Sequence, residues 1–299
     1  MPAINLYEDK PVQAVLLMCS AVFCFTLIDT SAKWLVTVGL LPLQVTFVRY
    51  LGHFASSLAF FLPREGSRIF LSQSYRIQIT RALFLMIGTF FNFLALKYLP
   101  LNVTIAIFFA APLLISILSI PILREHVPFN QLLAVFGGFV GVLVIIKPDE
   151  FGFQFELIYS VAALVCASMY FVLTRLVAQI DSNSVSQIYS SGVPTIILFP
   201  LIISIWEWPE TYAEIVMMIF IGCFATIGHS FATIAYRWAK ASFLAPIIYI
   251  QLIFITIISW LVFDHLPKFN TIVGTFIIIF AGIYFLNLQK KIKRDVSSI

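Results

Sequence analysis

Four ionisable side chains interrupt otherwise apolar stretches of the chain, and they are the first candidates for chemistry. Asp29, Arg49, His53 and His229 each lie among residues that are mostly hydrophobic. An ionisable group inside a membrane costs at least about 2.5–3.5 kcal/mol on insertion scales, so it tends to face a cavity or a partner. An arginine could bind an anionic group of a solute. An aspartate or a histidine could gain and lose protons during a reaction cycle.

The elements that must position these side chains are long apolar runs. The chain has 299 residues, of which 61% are hydrophobic and 11% are charged, and its mean hydropathy is +1.01. Soluble domains carry about 25% charged residues, so a soluble enzyme is nearly excluded. A membrane-spanning helix needs about 20 apolar residues. Runs of this kind predict ten transmembrane helices, at residues 12–34, 43–62, 77–96, 101–122, 131–147, 154–174, 184–206, 213–236, 243–263 and 270–288.

The basic residues predict how these spans are oriented. Alternate connections on one side hold thirteen of the eighteen lysines and arginines, with Arg81 and Arg175 counted among them. The opposite connections hold four, and Arg49 lies inside a predicted span. Positive charge accumulates in cytoplasmic connections, so both termini are expected to be cytoplasmic. The expected location is the inner (plasma) membrane of a bacterium.

The two halves of the chain resemble each other. Residues 93–97 and 128–130 match residues 233–237 and 268–270 at an offset of 140. Cys24 and Lys33 match Cys166 and Arg175 at an offset of 142. A unit of five helices begins and ends on opposite sides of the membrane, so its second copy is inserted upside down. The sequence therefore predicts an all-α membrane protein with two inverted five-helix repeats, residues 1–148 and 149–299, around a central cavity.

Several short strings carry a resemblance to a known family through their order and spacing. They are Asp29-Thr30-Ser31-Ala32-Lys33-Trp34, Phe47-Val48-Arg49-Tyr50, Ala95-Leu96-Lys97-Tyr98-Leu99-Pro100 followed by Ala110-Ala111-Pro112, and Arg124-Glu125 leading through Gly137-Gly138 and Gly141 to Lys147-Pro148. The chain resembles the EamA-type branch of the drug/metabolite transporter superfamily over nearly its whole length. The resemblance implies a ten-helix carrier of small organic solutes, with S-adenosylmethionine, riboflavin and amino acids as candidate substrates.

The second half departs from this pattern at two places. Tyr189 stands at the position that matches Arg49, and Asp264-His265 stand in the region that matches Glu125. These departures argue against a site with two-fold symmetry. Glu125 itself precedes span 5, and we expect it to cap a helix or to fix the loop.

Asp29, Lys33, Arg49 and His53 are predicted to line one patch of the cavity wall. At a rise of about 1.5 Å per residue, Asp29 lies in the outer half of the bilayer, and Arg49 lies at a similar depth. Lys33 is one turn from Asp29, and His53 is one turn from Arg49. Arg49 or Lys33 would then bind an anionic group of the solute. The alternative is a permanent Asp29–Arg49 ion pair that fixes spans 1 and 2, with Lys33 at the membrane surface.

Other side chains at membrane depth extend the candidate site. Asn92, Tyr170 and Gln251 are predicted substrate contacts, with hydrogen bonding between helices as the alternative. Asp29, His53 and His229 are the candidates for proton coupling, with a buried core residue as the alternative for each histidine. An aromatic wall near Phe90, Phe91, Phe108 and Phe109 would suit ring-bearing solutes better than inorganic ions, with side chains that face lipid as the alternative.

Small residues and prolines predict where helices cross and bend. Gly137 and Gly141 lie four residues apart in span 5, which favours a close helix crossing. Pro112, Pro194 and Pro246 lie within spans, where the missing N–H lets a helix bend.

The predicted function is transport that does not use ATP directly. The sequence has no Gly-x4-Gly-Lys-Ser/Thr loop for nucleotide binding and no room for an ATPase domain. No cofactor or metal site is expected, because the four cysteines lack the spacing of metal ligands. No nucleic-acid partner is expected, because the basic residues lie between the apolar runs and at the C-terminus rather than on one polar face. The expected partners are a small organic solute and the lipid bilayer, and a homodimer stays open. The alternative classes are a membrane-embedded enzyme acting on lipid-like substrates and a channel.

Overall fold

The computed structural model describes residues 10–99, 104, 107–146, 155–263 and scattered positions between 269 and 284. The regular secondary structure within these residues is helical. Two short 3-10 helices, Gly66–Phe70 and Ala245–Tyr249, occur among the α-helices. The α-helices are α1 (Pro11–Thr37), α2 (Pro42–Glu65), α3 (Tyr75–Tyr98), α4 (Ala111–Leu123), α5 (Phe129–Ile146), α6 (Leu157–Ala178), α7 (Asn183–Ile202), α8 (Tyr212–Trp238), α9 (Ala241–Leu244) and α10 (Ile250–Phe263).

The predicted spans correspond to these helices, with differences at spans 4 and 9. Six of the helices in the described residues, α1, α2, α3, α6, α7 and α8, are long and apolar enough to cross a membrane. Spans 4, 5 and 9 contain shorter apolar helices. Span 10, predicted at 270–288, lies largely outside the described residues. The fold is therefore the predicted all-α membrane bundle.

Spans 4 and 9 are interrupted rather than continuous. In span 4, a turn at Phe109 and Ala110 precedes α4, whose first turn contains Pro112. In span 9, the 3-10 helix that contains Pro246 separates α9 from α10. Proline lacks the N–H that would continue a helix and is favoured in a first turn. Pro194, in contrast, lies inside the uninterrupted helix α7.

Contacts between helix ends define two ends of the bundle, which we call basal and distal. α1 begins at the basal end, where the backbone N–H of Lys10 donates to the carbonyl of Trp238 over 3.3 Å. At the distal end, Gln44 Nε2 donates to the carbonyl of Glu207 over 2.6 Å, which joins the start of α2 to the α7–α8 connection. α1 packs chiefly along α8, and α3 packs along α6.

Lys33 and Arg175, which match in the internal repeat, make equivalent contacts at opposite ends of the bundle. Lys33 Nζ donates to the carbonyl of Leu96 over 2.7 Å, in the last turn of α3 at the distal end. Arg175 Nη1 donates to the carbonyl of Tyr236, in the last turn of α8 at the basal end. Cations at a helix C-terminus satisfy free carbonyls and the negative end of the dipole. An inverted repeat predicts this relation, whereas the exact boundary between 1–148 and 149–299 lies outside the described residues and stays a prediction.

α2 and α8 cross where two glycines face each other. A Cβ placed on Gly222 would lie 2.6 Å from the Cα of Gly52, and a Cβ on Gly52 would lie 2.9 Å from the Cα of Gly222. Both obstacles are backbone atoms, so a side chain would push the helices apart. The sequence also predicts a close crossing at Gly137 and Gly141. An added Cβ on Gly137 would make an ordinary 3.8 Å contact with the Cβ of Ala281, and because span 10 lies largely outside the described residues, that crossing stays a prediction.

We expect Gly222→Ala to lower the free energy of unfolding by about 1–3 kcal/mol, the usual cost of overpacking a well-packed site. The measurement is thermal unfolding of the detergent-purified protein. Gly137→Ala is the matched control, because its new Cβ has room, and its melting temperature should stay close to that of the wild type. A Gly222→Ala protein that melts at the wild-type temperature would contradict this crossing.

Candidate substrate cavity

A cavity lies between α1, α2, α3, α6, α8 and the interrupted spans 4 and 9. Irregular backbone at membrane depth is tolerated where it lines a cavity, and both interruptions do so here. The polar side chains that line the cavity are Asp29, Arg49, Thr89, Asn92, His229 and Gln251, together with the hydroxyl of Tyr170.

The two halves of the chain contribute matching positions to this cavity. At the offset of 140, Thr89 matches His229 and Ala111 matches Gln251, and all four line the cavity. The chemistry of each pair differs, so the site is not two-fold symmetric. Tyr189, which matches Arg49, is absent from the cavity lining and donates from its hydroxyl to the carbonyl of Phe70.

Asp29 lines the cavity from α1 and accepts hydrogen bonds from two neutral amides. Asn92 Nδ2 on α3 donates to Oδ1 over 3.1 Å, and Gln251 Nε2 on α10 donates to Oδ2 over 3.2 Å. Among the described residues, the carboxylate of Asp29 makes these two hydrogen bonds and no others. The three predicted contacts Asp29, Asn92 and Gln251 thus form one cluster.

Arg49 is a buried cation held by neutral groups. Its side chain is 7% exposed. Nη1 donates to Thr89 Oγ1 over 2.6 Å, and Nη2 donates to His229 Nε2 over 2.9 Å. Among the described residues, Nε has no hydrogen-bond partner. The guanidinium also lies 5.6 Å from the ring centroid of Tyr50 and 5.8 Å from that of Phe93, which provide cation–π contacts.

The structure does not contain the direct Asp29–Arg49 ion pair that the sequence suggested. Both side chains line the same cavity, but each is hydrogen-bonded to other groups. The prediction took α1 and α2 as close neighbours because their connection is short. In the structure α1 packs mainly against α8 and only slightly against α2, so the two charges stay separate.

The hydrogen bonds of His229 define its tautomer. A guanidinium can only donate, so Nε2 of His229 accepts from Arg49. Nδ1 lies 2.9 Å from Tyr170 Oη, carries the ring proton and donates it to that oxygen. Contacts at both nitrogens therefore keep His229 as a neutral imidazole. Tyr170, which also lines the cavity, is linked to Arg49 through this histidine.

Two predicted site residues lie outside the cavity lining. His53 stacks on His229 with ring centroids 5.4 Å apart, and its Nε2 donates to Gln187 Oε1 over 3.1 Å. It therefore lies behind the cavity wall. Lys33 caps the end of α3 through its bond to Leu96. The single patch predicted for Asp29, Lys33, Arg49 and His53 is corrected to a cavity that contains Asp29 and Arg49 alone of the four.

Aromatic side chains cover much of the remaining wall, but they are mostly not the predicted ones. Of the four phenylalanines proposed from the sequence, Phe108 lines the cavity. Phe91 stacks instead on Tyr159, and Phe109 packs against the ring of Tyr249. The other aromatic lining residues are Phe25, Tyr170 and Phe171.

Arg81 was overlooked because it was counted as a loop cation. It is 0% exposed in α3, near the basal end. Nη1 donates to Thr174 Oγ1 over 3.2 Å, and Nη2 donates to the carbonyl of Ser186 over 2.6 Å, which links α3 to α6 and α7. Its guanidinium lies 5.4 Å from the ring centroid of Tyr170. Its position inside the predicted span 77–96 was the signal that could have identified it.

The structure confirms the capping role predicted for Glu125, and the helix that it caps, α9, belongs to the other half of the chain. Its carboxylate accepts from the backbone N–H groups of Ala241 and Ser242, each over 3.0 Å, and from Ser242 Oγ over 2.6 Å. Arg175 Nε lies 3.7 Å from the same carboxylate. A carboxylate at a helix start satisfies free N–H groups there. The matching region, Asp264-His265, lies outside the described residues.

Comparisons with known proteins agree with a solute cavity inside a membrane bundle. The EamA-like transporter family matches residues 12–147 and 154–288. An S-adenosylmethionine uptake transporter of Rickettsia prowazekii is 25% identical over 265 residues, 88% of each chain. A riboflavin transporter of Vibrio cholerae is 25% identical over 299 residues, 98% of this chain and 99% of the relative. A solved crystal structure that covers 95% of this chain and 99% of its own has a TM-score of 0.77 at 18% identity, and so shares the fold.

Proposed function

The chain belongs to the EamA-like transporter family, and on that premise we propose that it carries a small organic metabolite across the bacterial inner membrane by alternating access. It is a multi-pass membrane transporter and not an enzyme. The observation that carries the proposal is the cavity at membrane depth, to which both halves contribute and in which Asp29 and Arg49 face the same space. Transport sites of secondary carriers lie at such an interface of repeats, near interrupted helices.

The basal contacts support a conformation that is closed toward one side. Glu125 joins the α4–α5 connection to α9, and Arg81 joins α3 to α6 and α7. In the proposed orientation, with most basic residues on the cytoplasmic side, the basal end and both termini face the cytoplasm. Opening toward the cytoplasm would then break these contacts.

The candidate substrates remain S-adenosylmethionine, riboflavin and amino-acid-type solutes. Asp29, Arg49, Asn92, Tyr170 and Gln251 form the proposed binding site, because all of them line the cavity. Proton coupling through Asp29, His53 or His229 stays a prediction, as does a homodimer. Lys33 is better explained by its contact with α3.

The proposal is tested in two steps with purified protein. Thermal unfolding against a panel of sulfonium compounds, flavins and amino acids should show stabilisation by one chemical class, about 2.7 kcal/mol at a hundredfold excess over Kd. That solute, loaded unlabelled into proteoliposomes, should drive transient uptake of its labelled form. A carrier shows this counterflow and saturates, whereas a channel shows neither. Passive, non-saturating flux of the binding solute would contradict alternating access.

A further inference from the structure

Two opposite charges line the cavity without neutralising each other. Opposite charges attract strongly in a poorly polarisable interior, so mobile ones would form a contact pair. Here each is anchored to its own wall: Asn92 and Gln251 hold Asp29, while Thr89 and His229 hold Arg49. The anchors keep the charges apart and hold a space between them.

Both charged groups have hydrogen-bonding capacity left. An ionised carboxylate has about four acceptor positions, and Asp29 uses two for its amide partners. A guanidinium has about five N–H donors. Arg49 uses two of them on neutral partners, and within the described ranges its Nε has no partner although the side chain is only 7% exposed. A buried charge without full pairing is costly, so a bound opposite charge gains affinity at each group.

The rest of the described lining is neutral. His229 is a neutral imidazole in its observed contacts, so Asp29 and Arg49 are the charged lining residues within the described ranges. A solute with a single charge would neutralise one of them and leave the other bare. Phe25 and Phe171 add aromatic side chains to the cavity wall, and aromatic rings attract organic cations and planar rings.

We propose that the cavity selects zwitterionic, ring-bearing solutes, with Arg49 binding the carboxylate and Asp29 binding the cationic group. This inference rests on the proposed transport function and narrows its substrate class. Thr89 and His229 are positioning residues for Arg49, and Asn92 and Gln251 are positioning residues for Asp29. Amino acids and S-adenosylmethionine carry both charges, whereas an uncharged flavin ring carries neither.

Matched solutes separate the two charges experimentally. One set is S-adenosylmethionine, its decarboxylated form and methylthioadenosine. The other is tryptophan, tryptamine and indole-3-propionate, and riboflavin serves as an uncharged ring. Binding is measured as thermal stabilisation of the purified, full-length protein over a range of solute concentrations. We expect a zwitterion from at least one set to bind at least about 30-fold more tightly than the members of its set that lack one or both charges.

The variant Asp29→Asn tests which charge each residue recognises. It should bring tryptophan and indole-3-propionate, which lacks only the cationic group, to similar affinity, while the preference for tryptophan over tryptamine, which lacks only the carboxylate, remains. Glu207→Gln is the matched control, because Glu207 is exposed outside the cavity, and both preferences should persist. An unchanged preference for the cationic group in Asp29→Asn would overturn its assignment.

Failure of the inference is distinguishable from failure of the transport function. If riboflavin or a singly charged analogue binds as tightly as the zwitterions and exchanges in proteoliposomes, the protein is a transporter but its cavity does not select zwitterions. If no zwitterion of either set binds while another solute does, the inference is likewise overturned. If no solute of the panel binds or exchanges, both the inference and the proposed function are rejected.

Discussion

Replacing Arg49 by glutamine is expected to reduce solute exchange at least about 30-fold, and up to several thousandfold. Truncating one partner of a buried charge pair costs about 2–5 kcal/mol, which corresponds to that range. Glutamine can still hydrogen-bond Thr89, but it supplies no positive charge to an anionic group of the solute. Arg49→Lys should recover part of the exchange, because it restores the charge without the planar fork of donors. The measurement is counterflow in proteoliposomes with equal amounts of incorporated protein.

The control for this result is an arginine on the same helix. Arg64 is exposed near the basal end of α2, and its guanidinium contacts Phe60 rather than the cavity. Arg64→Gln should therefore exchange solute at the wild-type rate. Arg49 also ties α2 to α3 and α8 through Thr89 and His229, so elution profile and helical content must match the wild type. A folded Arg49→Gln protein that exchanges normally would reduce Arg49 to a link between helices.

Removing Glu125 is expected to have the largest effect on stability, about 3–5 kcal/mol for Glu125→Ala. The change leaves Arg175 without this buried carboxylate and frees the N–H groups of Ala241 and Ser242. Glu125→Gln should cost less, because the amide oxygen still accepts one or more of these bonds. Thermal unfolding measures the stability, and hydrogen exchange at Ala241 and Ser242 reports the local contact directly. Both amides should exchange faster in the alanine variant.

An exposed carboxylate provides the comparison. Glu207→Ala removes a side chain at the distal surface and should change stability by no more than about 0.5 kcal/mol. Glu125→Ala with a wild-type melting temperature and protected amides at 241 and 242 would show that the contact between the two halves contributes little. A stability loss without faster exchange at these amides would place the effect elsewhere in the bundle.

The helix bounds predicted from the long apolar runs agree well with those of the structure, and the reason is physical. A helix in a membrane must be apolar over about 20 residues, so its bounds are visible in the sequence. The ends of α1, α2, α3, α7 and α8 lie within a few residues of the predicted ones, apart from the end of α7 at Ile202. The interruptions in spans 4 and 9 were less visible, because Pro112 and Pro246 indicate a bend but not its form.

Hydrogen-bond partners of the buried polar groups were the least predictable feature. Asp29 accepts from Gln251, 222 residues away, and Arg49 donates to His229, 180 residues away. The short connection between spans 1 and 2 suggested an Asp29–Arg49 pair, and the count of basic residues in the connections assigned Arg81 to a loop. Such partners depend on which helix faces lie against each other, and hydropathy carries no information about that.

The sequence by itself determined the membrane class, most helix bounds, the internal repeat and the identity of most polar residues in the cavity. The membrane class, the helix bounds and the polar candidates follow from the cost of placing polar groups in hydrocarbon, which acts on each segment locally, and the repeat is visible as matching residues at a nearly constant offset. The tertiary structure alone decided that α1 packs along α8, that Lys33 and His53 lie outside the cavity, and that Asp29 and Arg49 face it unpaired. These outcomes depend on helix packing, because small differences in contact between distant segments select one arrangement among many that have the same hydropathy.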